Sequence, residues 1–206
     1  MAKIIKIDDS QRSSFCMLCA RHLSELLNTK ITFLQVLDEL FLYEHGITSA
    51  NEPLARFVEL FLKDMVARNS GKILNVASIA GKVPGPYQAV YHGTKAFIHS
   101  FNEAIRSEVK ASGSSVTITS LLPGATDTDF FNKADMQDAK VVKEGKLGDA
   151  AAVARDGYDA LMAGKDMVIS GFMNKVQVAM ANVLPDSATA EQMRKTQAPA
   201  NKDEEK

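Results

Sequence analysis

The feature that most constrains this sequence is the stretch of residues 71–95, GKILNVASIAGKVPGPYQAVYHGTK. Residues Ile73–Ala77 form a short apolar run, partly β-branched, which is typical of a buried strand in a parallel sheet. Ser78 follows at the predicted end of this strand. Tyr91 and Lys95 lie four residues apart in the helical pattern that comes next, so they share one helix face. The stretch therefore predicts a strand, a loop and a helix that carry a hydroxyl, a phenol and an ammonium group.

From Asn51 onward, the chain alternates between helical and strand patterns. Val116–Leu122 is a second buried-type strand, and Met167–Ser170 is a short third strand. The predicted helices are Pro53–Ala67, Gln88–Ala111, Ala150–Gly164 and Phe172–Val183, with residues 129–138 as a further candidate. This alternation is typical of parallel strands joined by right-handed crossovers. The predicted fold class is α/β, with a partial parallel sheet of about three strands that is flanked by helices.

The two ends of the chain follow different patterns. Apolar residues at helical spacing predict helices over Phe15–Leu27 and Ile31–Phe41, and Lys3–Ile7 could be a short strand. The residues from Pro185 onward are polar and predict a mobile tail. The chain is thus divided into an atypical helical segment at residues 1–50, a sheet-forming unit at residues 51–184 and a polar tail at residues 185–206.

Charge and hydropathy narrow the possible partners and location. The chain has 24 Lys and Arg against 25 Asp and Glu, so no basic field favours nucleic acid or an anionic membrane surface. No apolar run approaches the ~20 residues of a membrane span. The N-terminus carries acidic residues where a secretory signal needs its apolar core, so the sequence predicts a cytoplasmic protein.

The two cysteines, Cys16 and Cys19, form a single CxxC pair with His22 one turn later. A tetrahedral metal site needs four ligands, and no second pair supplies the rest. Small buried cysteines on a helix face give the same pattern. We therefore predict no metal site.

The chemistry of Ser78, Tyr91 and Lys95 is that of proton transfer. An unperturbed phenol has a pKa of about 10, so it is a weak acid at neutral pH. A nearby cation favours the phenolate, and Lys95 is placed to be that cation for Tyr91. Ser78 lies where open α/β sheets bind ligands, and its hydroxyl can hydrogen-bond a substrate oxygen. Taken singly, these residues have an ordinary structural explanation. A Tyr and a Lys at this spacing are common on helix surfaces, and a Ser after a strand is common in turns.

Three runs, ILNVASIAG, YQAVYHGTKAF and SLLPGATDTDFF, resemble the short-chain dehydrogenase/reductase family. Ser78 precedes Tyr91 by thirteen residues, Tyr91-His-Gly-Thr-Lys95 matches the YxxxK motif, and Pro123-Gly124 matches the PG motif. The resemblance covers roughly Leu54–Val183, which is the C-terminal half of the family. It implies a partial Rossmann-like sheet.

The resemblance also implies an activity and a site. The implied reaction is NAD(P)-dependent hydride transfer between an alcohol and a carbonyl on a small molecule. Tyr91 would be the acid and base, Lys95 would assist it and hold the nicotinamide ribose, and Ser78 would orient the substrate oxygen. The implied cofactor-binding residues are Tyr91, Lys95, Pro123, Gly124, Thr126 and Thr128. By the same resemblance, Asp129–Leu147 would select the substrate, and homo-oligomers would pair through Pro53–Ala67 and Gln88–Ala111.

The nucleotide-binding features of the family are not found upstream. The family opens with a strand, a TGxxxGxG turn and a helix, but the only glycine before Gly71 is Gly46. A backbone that approaches a pyrophosphate needs such glycines, so this half is expected to be missing or replaced, and NAD or NADP remain equally possible. Asn51 lies one residue late for the fourth catalytic position of the family, and it is already explained as a helix cap.

Three hypotheses follow from this partial resemblance. The chain could be a working oxidoreductase that holds its cofactor by the nicotinamide side alone. It could be a catalytically silent relative that acts through oligomerisation. It could also be an incomplete gene product whose first ~50 residues are not native to the fold.

Overall fold

The computed structural model describes Val58 and residues 61–200. The predictions made for Lys3–Ile7, for the two N-terminal helices, for the CxxC pair and for Asn51 lie outside the described residues. The predictions made from Gly71 to Leu184 all fall within them.

A parallel three-stranded sheet forms the centre of the fold. Its strands are β1 (Lys72–Val76), β2 (Thr117–Leu122) and β3 (Met167–Ile169), in the order β1-β2-β3. Ile73 pairs with Ile118 and Leu121 with Val168, which fixes the register. The apolar side chains of β1 and β2 are almost completely buried, and each contributes roughly 1.5–3 kcal/mol to the free energy of unfolding. The predicted parallel α/β sheet is confirmed.

Helices follow each strand, close to their predicted positions. Val58 and residues 61–67 are helical, and we label this segment α1. The others are α2 (Ala89–Ala111), α3 (Phe130–Lys133), α4 (Lys140–Lys143), α5 (Ala150–Met162), α6 (Phe172–Ala181) and α7 (Asp186–Gln197). Gly113, at φ 73°, ends α2, and the Asp149 side chain caps α5 by accepting from the Ala152 amide at 2.9 Å.

Two long helices cover opposite faces of the sheet. Asn102 on α2 donates to Ser120 of β2, whereas Gly157 on α5 lies against Leu121, the next residue of the same strand. Successive strand residues point to opposite faces. Because β1, β2 and β3 are parallel and adjacent in chain order, helices on opposite faces give the two crossovers opposite hands. The expectation of right-handed crossovers therefore holds for one of them only.

The prediction of a mobile tail from Pro185 was wrong for residues 186–197, which form α7. Thr189 and Gln197 of this helix are buried. Its apolar residues are too few for the periodic stripe that indicates a helix, so hydropathy gave no signal. The helix begins after Pro185 with Asp186 and carries Arg194 and Lys195 in its last turn, and these charges complement its dipole.

The described helices include none with both the length and the apolar character needed to cross a membrane.

Candidate active site

A cleft of about 800 Å³ lies beyond the carboxyl ends of the three strands. This is the edge at which open α/β sheets bind ligands, and the volume is within the usual range for small-molecule sites. All seven residues singled out from the sequence line it: Ser78, Tyr91, Lys95, Pro123, Gly124, Thr126 and Thr128. The fold thus brings together residues that are as far as fifty positions apart in the chain.

Ser78 stands directly above β1 and is only 7% exposed. Its Oγ donates to the Pro123 carbonyl at 3.3 Å and accepts from the Ala80 amide at 3.1 Å, which caps the short 3-10 turn Ile79–Lys82. The same Pro123 carbonyl accepts from the Ile79 amide at 3.0 Å. These bonds join the ends of β1 and β2 and hold the hydroxyl at the mouth of the cleft.

Tyr91 and Lys95 occupy successive turns of α2 on the side that faces the cleft. The Lys95 Nζ lies 5.6 Å from the centre of the Tyr91 ring. Lys95 is 8% exposed, and its ammonium donates to the Val76 carbonyl at 3.4 Å, at the end of β1. A buried ammonium needs such a partner, and the contact directs the cation toward the phenol.

The PG segment turns the chain sharply after β2. Thr126 Oγ1 donates to the Gly124 carbonyl at 2.9 Å, and Thr128 Oγ1 accepts from the Phe130 amide at 3.4 Å. Both hydroxyls therefore stabilise the loop itself while the segment lines the cleft. Asn174 of α6 packs against Gly124 and closes the other side of this turn.

The excursion that follows, residues 127–147, is closed at its base by backbone pairing. Thr126 and Gly148 form a parallel bridge, with the Asp127 amide donating to the Gly148 carbonyl at 2.9 Å. Within the excursion, the Phe130 ring lies 5.2 Å from the Tyr91 ring, centre to centre. This aromatic contact sets one apolar wall of the cleft directly beside the phenol.

Two further residues, His92 and Gln197, line the cleft and were missed by the sequence analysis. His92 Nδ1 lies 2.8 Å from the Val83 carbonyl, and a carbonyl only accepts, so Nδ1 carries the proton. Gln197 Nε2 lies 2.9 Å from His92 Nε2 and donates to it. Burial lowers the pKa of His92, against the opposing effect of the bond to Val83, so the ring is held neutral. Pro185 followed by Asp186 is typical of a helix start, and this was the sequence signal that could have indicated α7, the helix that carries Gln197.

The described residues fit one end of a dinucleotide. Lys95, Ser78 and the backbone of the PG turn offer donors and acceptors in the cleft beside Tyr91, as a nicotinamide and its ribose require. Within residues 61–200, the sequence holds no GxGxxG turn between a strand and a helix for a pyrophosphate. The same part of the chain holds no group of three or more His, Cys, Asp or Glu side chains that could bind a metal ion.

Comparison with known proteins gives a consistent result. Residues 48–139 match the family model described as short chain dehydrogenase. An uncharacterized oxidoreductase of Staphylococcus epidermidis is 33% identical over 90 residues, which is 44% of this chain and 38% of that protein. A probable NADP-dependent dehydrogenase of Haemophilus influenzae is 39% identical over 80 residues, which is 38% of this chain and 31% of that protein.

Among solved structures, the chain is similar to a short chain dehydrogenase from Burkholderia cenocepacia in complex with NADP. The TM-score is 0.61 at 19% sequence identity, over 92% of this chain and 77% of that one. At this identity, the likeness shows the fold alone. The matched part of this chain spans less than half the length of the two curated relatives named above.

Proposed function

We propose that this chain is an NAD(P)-dependent oxidoreductase of the short chain dehydrogenase family, whose model matches residues 48–139. It transfers hydride between an alcohol and a carbonyl on a small molecule. The observation that carries this proposal is the convergence of Ser78, Tyr91 and Lys95 on one cleft at the carboxyl edge of a parallel sheet.

In this proposal Tyr91 moves the proton. Its phenol gives a proton to the carbonyl oxygen in reduction and takes one from the alcohol in oxidation. Lys95, 5.6 Å from the ring centre, stabilises the negative charge that develops on the phenol oxygen. Ser78, fixed at the end of β1, turns its one hydroxyl proton from the Pro123 carbonyl to the substrate oxygen and so orients that oxygen.

The cofactor in this proposal is NAD or NADP, bound beside Tyr91 and Lys95. When bound, its nicotinamide supplies or accepts the hydride. Lys95 would hold the ribose, and the segment from Pro123 to Thr128, with Gly124 and Thr126, would line the nicotinamide side. One relative is named NADP-dependent, and one structural neighbour holds NADP, which favours the same cofactor class here. Residues 129–147 would select the substrate.

A binding experiment tests this proposal most directly. NADH and NADPH are titrated in turn against the full chain, and the cofactor fluorescence is followed. We expect saturable binding of at least one of them, and about tenfold weaker binding by Lys95→Met, which removes a charged hydrogen-bond donor. Lys110→Met, at an exposed lysine of the same helix, is the matched control and should bind as the parent does. Absence of saturable binding at millimolar cofactor would reject the proposal.

Self-association through α2 is part of the same proposal. Phe97 and Phe101 stack on this helix with ring centres 5.7 Å apart, and Phe97 is 36% exposed. Phe101 is partly buried against the core, so it supports the exposed Phe97 ring, and such a ring on a long helix is suited to pairing with a second copy. Light scattering should show a dimer or larger form for the parent and a smaller mass for Phe97→Glu.

A cytoplasmic location remains a prediction from the sequence.

A further inference from the structure

The C-terminal helix α7 is attached to the rim of the cleft at several points. Its last residue, Gln197, contacts His92 on α2. Just beyond it, the Lys140 amide donates to the Ala198 carbonyl at 3.1 Å and the Ala200 amide donates to the Asp138 carbonyl at 2.8 Å. These bonds tie the end of α7 both to the helix that carries Tyr91 and to the excursion after β2.

The contact between Gln197 and His92 is built as a buried, directional pair. Their side chains are 7% and 4% exposed. With Nδ1 donating to Val83, the neutral ring has its acceptor at Nε2, where it meets the Gln197 amide at 2.9 Å. A buried hydrogen bond of this kind is costly to break, because both groups would lose their partner away from water. His92 adjoins Tyr91 in sequence, with ring centres 5.9 Å apart.

The face that α7 turns to the cleft is uncharged. It presents Met193, Thr196 and Gln197 there, whereas the four charged residues of the helix are exposed to solvent: Asp186, Glu191, Arg194 and Lys195. On the other sides, the cleft is lined by aromatic and thioether side chains: Phe130, Phe131, Phe172 and Met173. Apart from Lys95, the charged lining residues are Lys146 and Asp149, which have opposite signs.

We propose that the Gln197–His92 hydrogen bond holds α7 as the substrate-side wall of the cleft, and that the site so formed takes a neutral carbonyl or alcohol compound with an apolar body. This inference rests on the proposed function for the reacting group. Gln197 is then a positioning residue, because this side chain acts on the cleft through His92. A substrate with a charged body would lose its hydration at this wall without gaining a partner.

The test uses the full chain with carbon-13 methyl labels on methionine. Met173 and Met193 are assigned by single Met→Leu variants, and the neutral bicyclic ketone 1-tetralone is the probe. We expect saturable shifts of both methyl signals in the parent. Gln197→Leu should bind the ketone about tenfold more weakly, as loss of one buried hydrogen bond predicts. Gln192→Leu, at an exposed glutamine of the same helix, should bind as the parent does.

A nitrogen-15 spectrum of the imidazoles reports on the hydrogen bond itself. In the parent and in Gln192→Leu, the His92 signal should show a neutral ring protonated at Nδ1, and the Nε2 resonance should move in Gln197→Leu. If Gln197→Leu does not fold, Met193→Ala serves instead: it removes apolar wall surface without touching the hydrogen bond, and should also weaken ketone binding.

The outcomes separate this inference from the proposed function. Ketone binding with unchanged affinity in Gln197→Leu, or no shift of the Met193 methyl at saturation, would overturn the inference. Titration of NADPH into the same samples decides the proposed function independently. A chain that binds the ketone at Met193 and loses it in Gln197→Leu supports the inference even where no cofactor binds.

Discussion

Lys95 lies one helical turn beyond Tyr91, with its Nζ 5.6 Å from the centre of the phenol ring and its proton donated to the Val76 carbonyl. The strand end thus fixes the ammonium, and the helix fixes the phenol relative to it. A cation held in this way costs no reorganisation when charge develops nearby, which is the basis of electrostatic stabilisation in enzymes.

Replacement of Tyr91 by Phe should remove turnover while leaving the fold intact. The variant keeps the ring contact with Phe130 and loses only the hydroxyl that transfers the proton. We expect the rate of NADPH-dependent ketone reduction to fall by at least ~100-fold, the usual contribution of a general acid. The control is Tyr87→Phe, at a tyrosine that is 62% exposed, four residues earlier. Equal loss in both variants, or retention of the rate in Tyr91→Phe, would contradict the assignment.

Ser78 should show two separable effects, because its hydroxyl both caps a turn and points to the cleft. Ser78→Ala removes the bond from the Ala80 amide and should lower the free energy of unfolding by ~1 kcal/mol. It should also lower the rate of ketone reduction. Ser78→Thr keeps the hydroxyl on an extended backbone of φ −167° and should restore much of both. Urea denaturation and initial rates measure the two effects, and a Thr variant no better than Ala would argue against a role of the hydroxyl.

The sequence predicted the sheet, and it predicted which side chains gather at the carboxyl edge of that sheet, for a local reason. The strands are short apolar runs between glycines and prolines, and the Tyr91 and Lys95 pair lies within one helix, so spacing alone places them together. Ser78 and Pro123 come from the ends of neighbouring strands, which parallel pairing brings side by side. These relationships follow from periodicity and topology.

The contact of Gln197 with His92 could not be predicted in the same way. The two residues are 105 positions apart, and α7 has no apolar stripe that would show where it docks. Besides the contact with His92, α7 is held by backbone bonds between residues 138–140 and 198–200, which any side chains can make. The packing of α7 against the cleft could therefore be seen only in the folded structure, whereas the residues at the strand ends could be predicted from the sequence.

Gly85 should be intolerant of a side chain because of its closeness to His92. A Cβ at this position would clash with the imidazole, which is itself held by Val83 and Gln197. We expect Gly85→Ala to lower the free energy of unfolding by about 1–3 kcal/mol, as overpacking of a buried site does. Chemical denaturation followed by circular dichroism measures the change.

The matched control is Gly93→Ala on α2, where a Cβ meets nothing within 4 Å. In a helix this change should raise the free energy of unfolding by about 0.5–1 kcal/mol, because alanine loses less backbone entropy on folding. Opposite signs for the two variants are the expected result. A stable Gly85→Ala protein would show that the His92 ring is free to move.

Acid should destabilise the fold through His92. Its pKa is lowered in the folded chain, chiefly by burial, from an ordinary value of 6.5. Below that value the unfolded chain takes up a proton that the folded ring resists, so the unfolded state binds more protons in this window. The contribution of His92 to the free energy of unfolding is therefore fully retained above pH 6.5, and it falls as the pH drops below that value. Burial and the Lys82 charge lower the pKa of His99 in the same direction.

Urea denaturation at about pH 7.5 and about pH 5.5 measures this loss of stability, since the two values bracket the ordinary titration of histidine. Carboxylates also titrate near the lower value, so the comparison is made with His92→Asn, which cannot take up the proton. We expect the parent to lose more stability than the variant between the two conditions, and also more than His99→Asn. An identical loss of stability in acid for the parent and for His92→Asn would mean that burial of His92, on α2 against α7, does not hold its ring neutral.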